Sequence, residues 1–156
     1  STGMRRGEIL GLKWRDLNLS NGSLRISTEV VPAGGTIVIQ PPKTKNSIRT
    51  VVLPPYMVAI LADMKKSKTC EWMFPSPVKE GEPRNPTAIH RRFKLILERS
   101  ECKNIRFHDL RHTFATMALE NGMDVKTLSD MIGHISAETT VNIKYPHKFK
   151  VTVKAA

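Results

Sequence analysis

Five short stretches of this chain hold side chains that could act on an anionic ligand. In Thr2-Gly3-Met4-Arg5-Arg6-Gly7-Glu8 a basic residue stands at a helix start. Arginine conflicts there with the helix dipole, which favours anions at that end. A phosphate bound by backbone N–H groups and a guanidinium would resolve the conflict; a solvated basic turn is the plainer reading. In Phe107-His108-Asp109-Leu110-Arg111-His112, His108 and Arg111 lie three residues apart and share one helix face. Together they suit an oxyanion or phosphate, or, as an equal alternative, they are buried and satisfy backbone carbonyls. Gly133-His134 sets a histidine just past a helix-ending glycine, where a cation meets the dipole favourably and nothing more is required. Lys43 and Lys45, in Pro42-Lys43-Thr44-Lys45, fall on a turn between strands, where lysines are ordinarily solvated. Tyr145, one of two tyrosines, sits in the basic stretch Lys144 to Lys148 and could simply dock near the chain end.

Those clusters need a scaffold, and the composition allows one. The 156 residues suit a single domain, and 40% hydrophobic with 25% charged residues is ordinary for a globular protein. The formal charge of +11 is large for this length and points to a polyanionic partner, nucleic acid before membrane. Two cysteines, Cys70 and Cys102, exclude a disulfide scaffold and a four-cysteine zinc site. No apolar run approaches the roughly 20 residues of a membrane span, and no signal-peptide pattern opens the chain. A soluble protein of a reducing compartment is expected. The start at Ser1, without an initiator methionine, reads as a fragment of a longer protein.

The elements follow from periodicity. A helix is expected from about Arg5 to Lys13, ended by Asp16-Leu17-Asn18. Leu24 to Val31 and Thr36 to Gln40 read as strands around Pro32-Ala33-Gly34-Gly35, and Arg49 to Leu53 as a third, making one small sheet. Pro54-Pro55 introduces a helix to about Lys65 with Met57, Ile60, Leu61 and Met64 on one face. Asn85-Pro86 caps a helix carrying Ile89, Phe93, Ile96 and Leu97. A helix from about His108 to Glu120 has Leu110, Phe114, Met117 and Ala118 as its apolar side. Asp124 caps a short helix closed by Gly133, and Ser136 caps another. The class is α+β, mainly helical, with one small three-stranded antiparallel sheet.

Taken in order, the stretches resemble the catalytic domain of the tyrosine recombinases, the phage integrase family. Thr2 to Trp14 is similar to the family's first arginine box, and Pro42 to Arg49 with Val51-Val52-Leu53-Pro54 to its hairpin lysine segment. His108-Asp109-Leu110-Arg111-His112-Thr113-Phe114-Ala115-Thr116 is similar to the second box; Gly133-His134 and Thr139 to Ile143 are similar to the third. The resemblance implies a tyrosine-recombinase core over residues 1–156 as a single catalytic domain, with an upstream core-site-binding domain missing. It also implies metal-independent DNA cleavage and rejoining through a 3′-phosphotyrosine, with no cofactor. Phenolate is a fair leaving group when the strand is rejoined, and arginines can clamp the charge of a five-coordinate phosphate. By the resemblance those arginines are Arg5 and Arg111, with His134 as a further donor. His108 is the general base, Lys43 the general acid, Tyr145 the nucleophile and Glu8 a supporting acid.

One departure stands out. The family places its tyrosine directly after the residue equivalent to Ile143, but Lys144 holds that slot and Tyr145 follows. A one-residue shift turns a helical side chain by about 100°, so delivery of Tyr145 from a loop, or loss of cleavage, comes into view. His90, Arg91, Arg92 and Lys94 crowd the helix before the second box; with Lys45 they are candidate DNA contacts, or else a solvated helix face. The resemblance implies double-stranded DNA and further protomers in a synaptic tetramer as partners, no membrane, a phage or mobile-element origin and a cytoplasmic location. The competing readings are a type IB topoisomerase, a cleavage-deficient DNA-binding module, and an RNA- or membrane-binding basic domain.

Overall fold

A computed structural model of the chain describes residues 2–44 and 47–133. Lys45, His134 and Tyr145 lie outside the described residues, as do the helix expected from Ser136 and the stretch after it.

The chain opens with α1 (Arg6–Leu10), shorter than the apolar spacing suggests. It stops at Gly11, where the backbone passes so close to Thr28 that a Cβ would lie 2.4 Å from the Thr28 carbonyl oxygen. Gly7, one turn earlier, meets Val30 in the same way at 2.8 Å, so two glycines four apart let α1 lie directly on the following strands. Beyond Gly11 the chain turns extended: Trp14 N–H donates to Glu71 O (2.9 Å) and Met73 N–H to Leu12 O (2.9 Å).

Four strands follow: β1 (Ser23–Ile26), β2 (Glu29–Ala33), β3 (Thr36–Gln40) and β4 (Arg49–Val52). Antiparallel pairing is as expected, but the single three-stranded sheet is not what forms. β1 pairs with β4, setting Ile26 opposite Arg49, and β2 pairs with β3 as a hairpin, setting Glu29 opposite Gln40. The run from Leu24 to Val31 therefore breaks at Ser27-Thr28. Its partner changes there, because residues 41–48 separate β3 from β4 and open with two prolines that cannot donate to a ladder.

Helices α2 (Pro55–Lys66), α3 (Pro86–Arg99), α4 (Phe107–Glu120) and α5 (Val125–Ile132) complete the described chain. Asn85 accepts from Thr87 N–H (2.8 Å) and Asp124 from Thr127 N–H (2.9 Å), as their N-cap positions predict. The larger core gathers Leu12, Trp14, Leu17, Leu24, Ile26, Val51, Leu53, Leu61 and Met73. A smaller one holds Ala115, Leu128 and Ile132 between α4 and α5.

Three helices expose residues that the apolar spacing assigns inward; in α3 it is Ile96 (52% exposed). In α2 Leu61 is buried while Ile60 and Met64 are exposed. In α4 the buried positions are Arg111 and Ala115, whereas Leu110 (42% exposed) and Met117 (57%) face outward. Leu110 is one residue from Arg111, about 100° around the helix, and Arg111 takes the inward position.

Candidate active site

Three arginines from three elements end on one helix terminus. The last carbonyls of a helix have no partner within it, and the dipole makes that end negative, so it attracts donors that carry positive charge. Arg49, the first residue of β4, donates from Nε to Met131 O (2.7 Å). Arg111, on α4, donates from Nη2 to Ile132 O (2.6 Å). Arg5, which precedes α1, donates from Nη2 to Gly133 O (3.2 Å). Three successive carbonyls thus each take one guanidinium. Gly133 closes α5 in the left-handed region (φ 68°), where glycine carries no Cβ penalty.

Glu8 holds two of these arginines together from a fully buried position. Its Oε1 accepts from Arg5 Nη1 (2.8 Å) and Arg49 Nη1 (3.1 Å). Its Oε2 accepts from the Arg5 main-chain N–H (2.8 Å) and Arg49 Nη2 (3.0 Å). Burial pushes the carboxyl pKa up, but the hydrogen bonds and charge of Arg49, joined by Arg5, outweigh it and hold the group below its ordinary 4.5. Glu8 is therefore ionised, and the cluster of three guanidiniums and one carboxylate keeps a surplus of positive charge.

Arg111 is buried and also donates from Nη1 to Gly3 O (2.6 Å). Burial, then repulsion from Arg5, brings its pKa down to about 10, so it stays charged at neutral pH. It does satisfy backbone carbonyls, one of the two readings weighed equally for this residue. Those bonds engage two of the five N–H donors of a guanidinium, so the anion-binding reading remains open beside it.

His108 stands in the first turn of α4 with its ring edge-on to His112, centroids 4.6 Å apart. It is exposed on one side, yet partial burial, then the positive fields of His112, Arg111 and Arg5, push its pKa below 6.5. At neutral pH the imidazole is uncharged and can accept a proton. Lys43 is exposed on the link between β3 and β4. The next residue, Thr44, shares a hydrogen bond with Ser47 (2.8 Å), and Ser47 Oγ accepts from Arg5 Nη1 (3.5 Å), which ties that turn to the cluster. His134 directly follows Gly133 in sequence. Among the described residues no group of three His, Cys, Asp or Glu side chains could hold a metal ion.

Arg5, Glu8 and Arg111 are thus brought together, with His108 in the same field. Arg49 joins them and carried no expectation of its own. A signal existed: an acid inside Gly7-Glu8-Ile9-Leu10 needs a cation if that helix packs inward, and Arg49 opens a strand whose other residues are uncharged. On α3, His90 is half-buried while Arg91 and Arg92 are exposed. Lys94 is committed elsewhere, donating to Asn104 Oδ1 and to Ile105 O (2.9 Å) ahead of α4. Arg92 also lines a cavity of about 450 Å³ beside the β2–β3 turn, which none of the cluster residues reaches.

Ordered boxes, a core that gathers them and an arginine-rich centre define a class, and comparison with known proteins agrees. The profile of the phage integrase family matches residues 1–151, and the chain belongs to that family. It is 32% identical, over 94% of its length, to a XerC-like tyrosine recombinase of Caldanaerobacter subterraneus, of which it covers 43%. It is 28% identical over 96% of its length to the ICEBs1 integrase of Bacillus subtilis, covering 44% of that protein. The chain therefore spans less than half the length of these relatives. Among solved structures, the Tn1549 transposon integrase in complex with circular intermediate DNA superposes with a TM-score of 0.77 at 23% identity, over 95% of this chain and 53% of the other. XerA recombinase superposes at 0.72 and 24% identity, over 94% and 50%. These two likenesses concern the fold.

Proposed function

We propose that this chain is the catalytic domain of a site-specific DNA recombinase, one that breaks and rejoins strands through a covalent tyrosine ester. The observation that carries the proposal is the convergence of Arg5 and Arg111 on adjacent carbonyls, Gly133 O and Ile132 O, at the end of α5. Two guanidiniums held side by side by fixed backbone acceptors are preorganised for the non-bridging oxygens of a phosphodiester. Their surplus charge matches the negative charge that grows when a fifth oxygen joins phosphorus.

In this reading the Tyr145 hydroxyl loses its proton to uncharged His108 and attacks the scissile phosphorus. The bond to the 5′-oxygen breaks, Lys43 protonates that oxygen, and a 3′-phosphotyrosine remains. Attack by a 5′-hydroxyl of another strand reverses the step and releases the tyrosine. Arg5, Arg111 and His134 stabilise the charge, and Glu8 supports Arg5. Relatives named recombinases or integrases, and the λ integrase tetramer on a Holliday junction, which has the same fold at a TM-score of 0.58, favour strand exchange over strand relaxation. Double-stranded DNA and further protomers are the partners this reading assigns. Further DNA-binding surface in the rest of a full-length protein fits the chain's coverage of its relatives.

The test is covalent trapping on nicked duplexes carrying the ends of the element that encodes the chain, in EDTA and quenched with SDS. An adduct is expected from the parent and none from Tyr145→Phe. An adduct that survives the substitution would remove Tyr145 from the site, and one that needs a divalent cation would overturn the reaction class.

A further inference from the structure

We infer that Arg49 is a positioning residue of this site, a buried guanidinium that fixes the Arg5 side chain by gripping the Glu8 carboxylate and bracing the two segments that carry its other acceptors; the inference rests on the recombinase reading. The Arg5 side chain is long and 36% exposed, and three acceptors outside its own residue orient its guanidinium: Glu8 Oε1, Ser47 Oγ and Gly133 O. Arg49 reaches the residue of every one, or its immediate neighbourhood. It grips both oxygens of Glu8 in a fork, at 3.1 and 3.0 Å, so that carboxylate cannot rotate away from Arg5. It donates from Nη1 to the Ser47 carbonyl (3.0 Å), holding the foot of the link that carries Lys43. It donates to Met131 O two residues before Gly133, and lies so close beneath Gly133 that a Cβ there would be 2.9 Å from Nη1.

Geometry separates this role from a simple ion pair. The Arg49 side chain is only 7% exposed, and all its donors named above are turned to protein acceptors, so it serves the phosphate through Arg5 rather than by contact. Lysine could keep the charge but not the planar fork that spans Glu8 and Ser47 together. One residue therefore joins the first arginine box, the lysine link and the end of α5, three segments that the sequence scatters between positions 5 and 133.

Arg49→Lys tests this in two ways that a purely structural role would not move together. Nitrogen-15 spectra of the guanidinium groups, with Arg5→Lys for assignment, should show separate Arg5 Nη signals in the parent. Faster rotation in folded Arg49→Lys should merge them. Single-turnover adduct formation should fall about a hundredfold, the scale set by misplacing a reacting group by about 1 Å. Affinity for the uncleaved duplex should stay within about twofold, because exposed phosphate contacts are untouched. The charge-neutral pair Glu8→Gln/Arg49→Met is the second variant, should Arg49→Lys not fold, and the same loosening of Arg5 is expected. Unchanged Arg5 signals in a folded variant would overturn the inference. So would failure of both variants to fold, which would make Arg49 a structural residue. A parent that forms no Tyr145-dependent adduct would count against the recombinase reading alone, and the Arg5 spectra would still decide the case of Arg49.

Discussion

The arginines at the end of α5 and those on α3 are the same residue type in opposite physical settings. The side chains of Arg49 and Arg111 are buried, and each finds acceptors from two or more other segments. Arg91 and Arg92 are exposed on a helix whose fixed basic residue, Lys94, is turned toward the loop before α4. A buried guanidinium loses hydration that must be replaced atom by atom, so its position is set to a fraction of an ångström. An exposed one keeps its water and its rotamers, and acts at a distance through a field that salt screens. The first setting suits bond-making at one phosphate; the second suits holding any phosphate.

The sharpest way to break this contrast is Arg111→Ala. If Arg111 stabilises charge on the reacting phosphate, adduct formation on the nicked duplex should drop about a thousandfold, the upper range for one preorganised donor. Stability should change far less, within about 2 kcal/mol in urea melts. The variant strands the carbonyls of Gly3 and Ile132 but also removes a buried cation that Arg5 repels. Retained cleavage with lost stability would show that Arg111 is only a tie between the chain start and α5.

Legibility in the sequence followed the same division. Arg5, Glu8, His108 and Arg111 stand in contiguous boxes, and the structure brings Arg5, Glu8 and Arg111 together with His108 in their electrostatic field. Arg49 was harder to read: its position at the head of a strand marks it, but nothing local names partners that lie 41 and 82 positions away. The inward face of α4 was misread for a related reason. Apolar spacing finds the face that burial usually selects, but here a buried charge with prepared acceptors displaced Leu110 and Met117 to the surface. The strands were legible as extended runs, yet not their partners. Where β1 gives way to β2 follows from their pairing with β4 and β3, strands further along the chain, and no local periodicity announces it.

A smaller effect separates the two settings by pH. Glu8 has a folded pKa below its ordinary value of 4.5, so folding favours the ionised form. Its contribution is complete above the unfolded pKa and is lost as pH falls through the folded one. Thermal melts of the parent and Glu8→Gln should therefore differ most at neutral pH and converge as acidification carries the pH from 4.5 down through the folded pKa. At neutral pH the gap should reach about 3 kcal/mol, the low end for breaking a buried ion pair. Parallel curves down to strong acid would mean that the Arg5–Glu8–Arg49 cluster is not the ionic core described here. Neutralising the exposed α3 pair should leave the same melts unchanged.

The smallest effect is on α3 itself, and it is read in salt rather than in stability. Each phosphate contact releases counterions, so the logarithm of affinity falls with the logarithm of salt by about 0.9 per contact. Arg91→Gln/Arg92→Gln on a mixed-sequence duplex should lower that slope by between about 1 and 2, with melting shifted by less than about 0.5 kcal/mol. Arg49→Lys, buried away from solvent, should leave the slope where it was. If Arg92 serves the cavity it lines beside the β2–β3 turn, Arg91→Gln alone will carry the whole change. An unaltered slope in the double variant would make α3 a solvated helix face. Any positive charge that the proposed function needs to hold DNA would then have to come from the arginine cluster and the lysine link, and the two kinds of arginine would no longer divide the work between them.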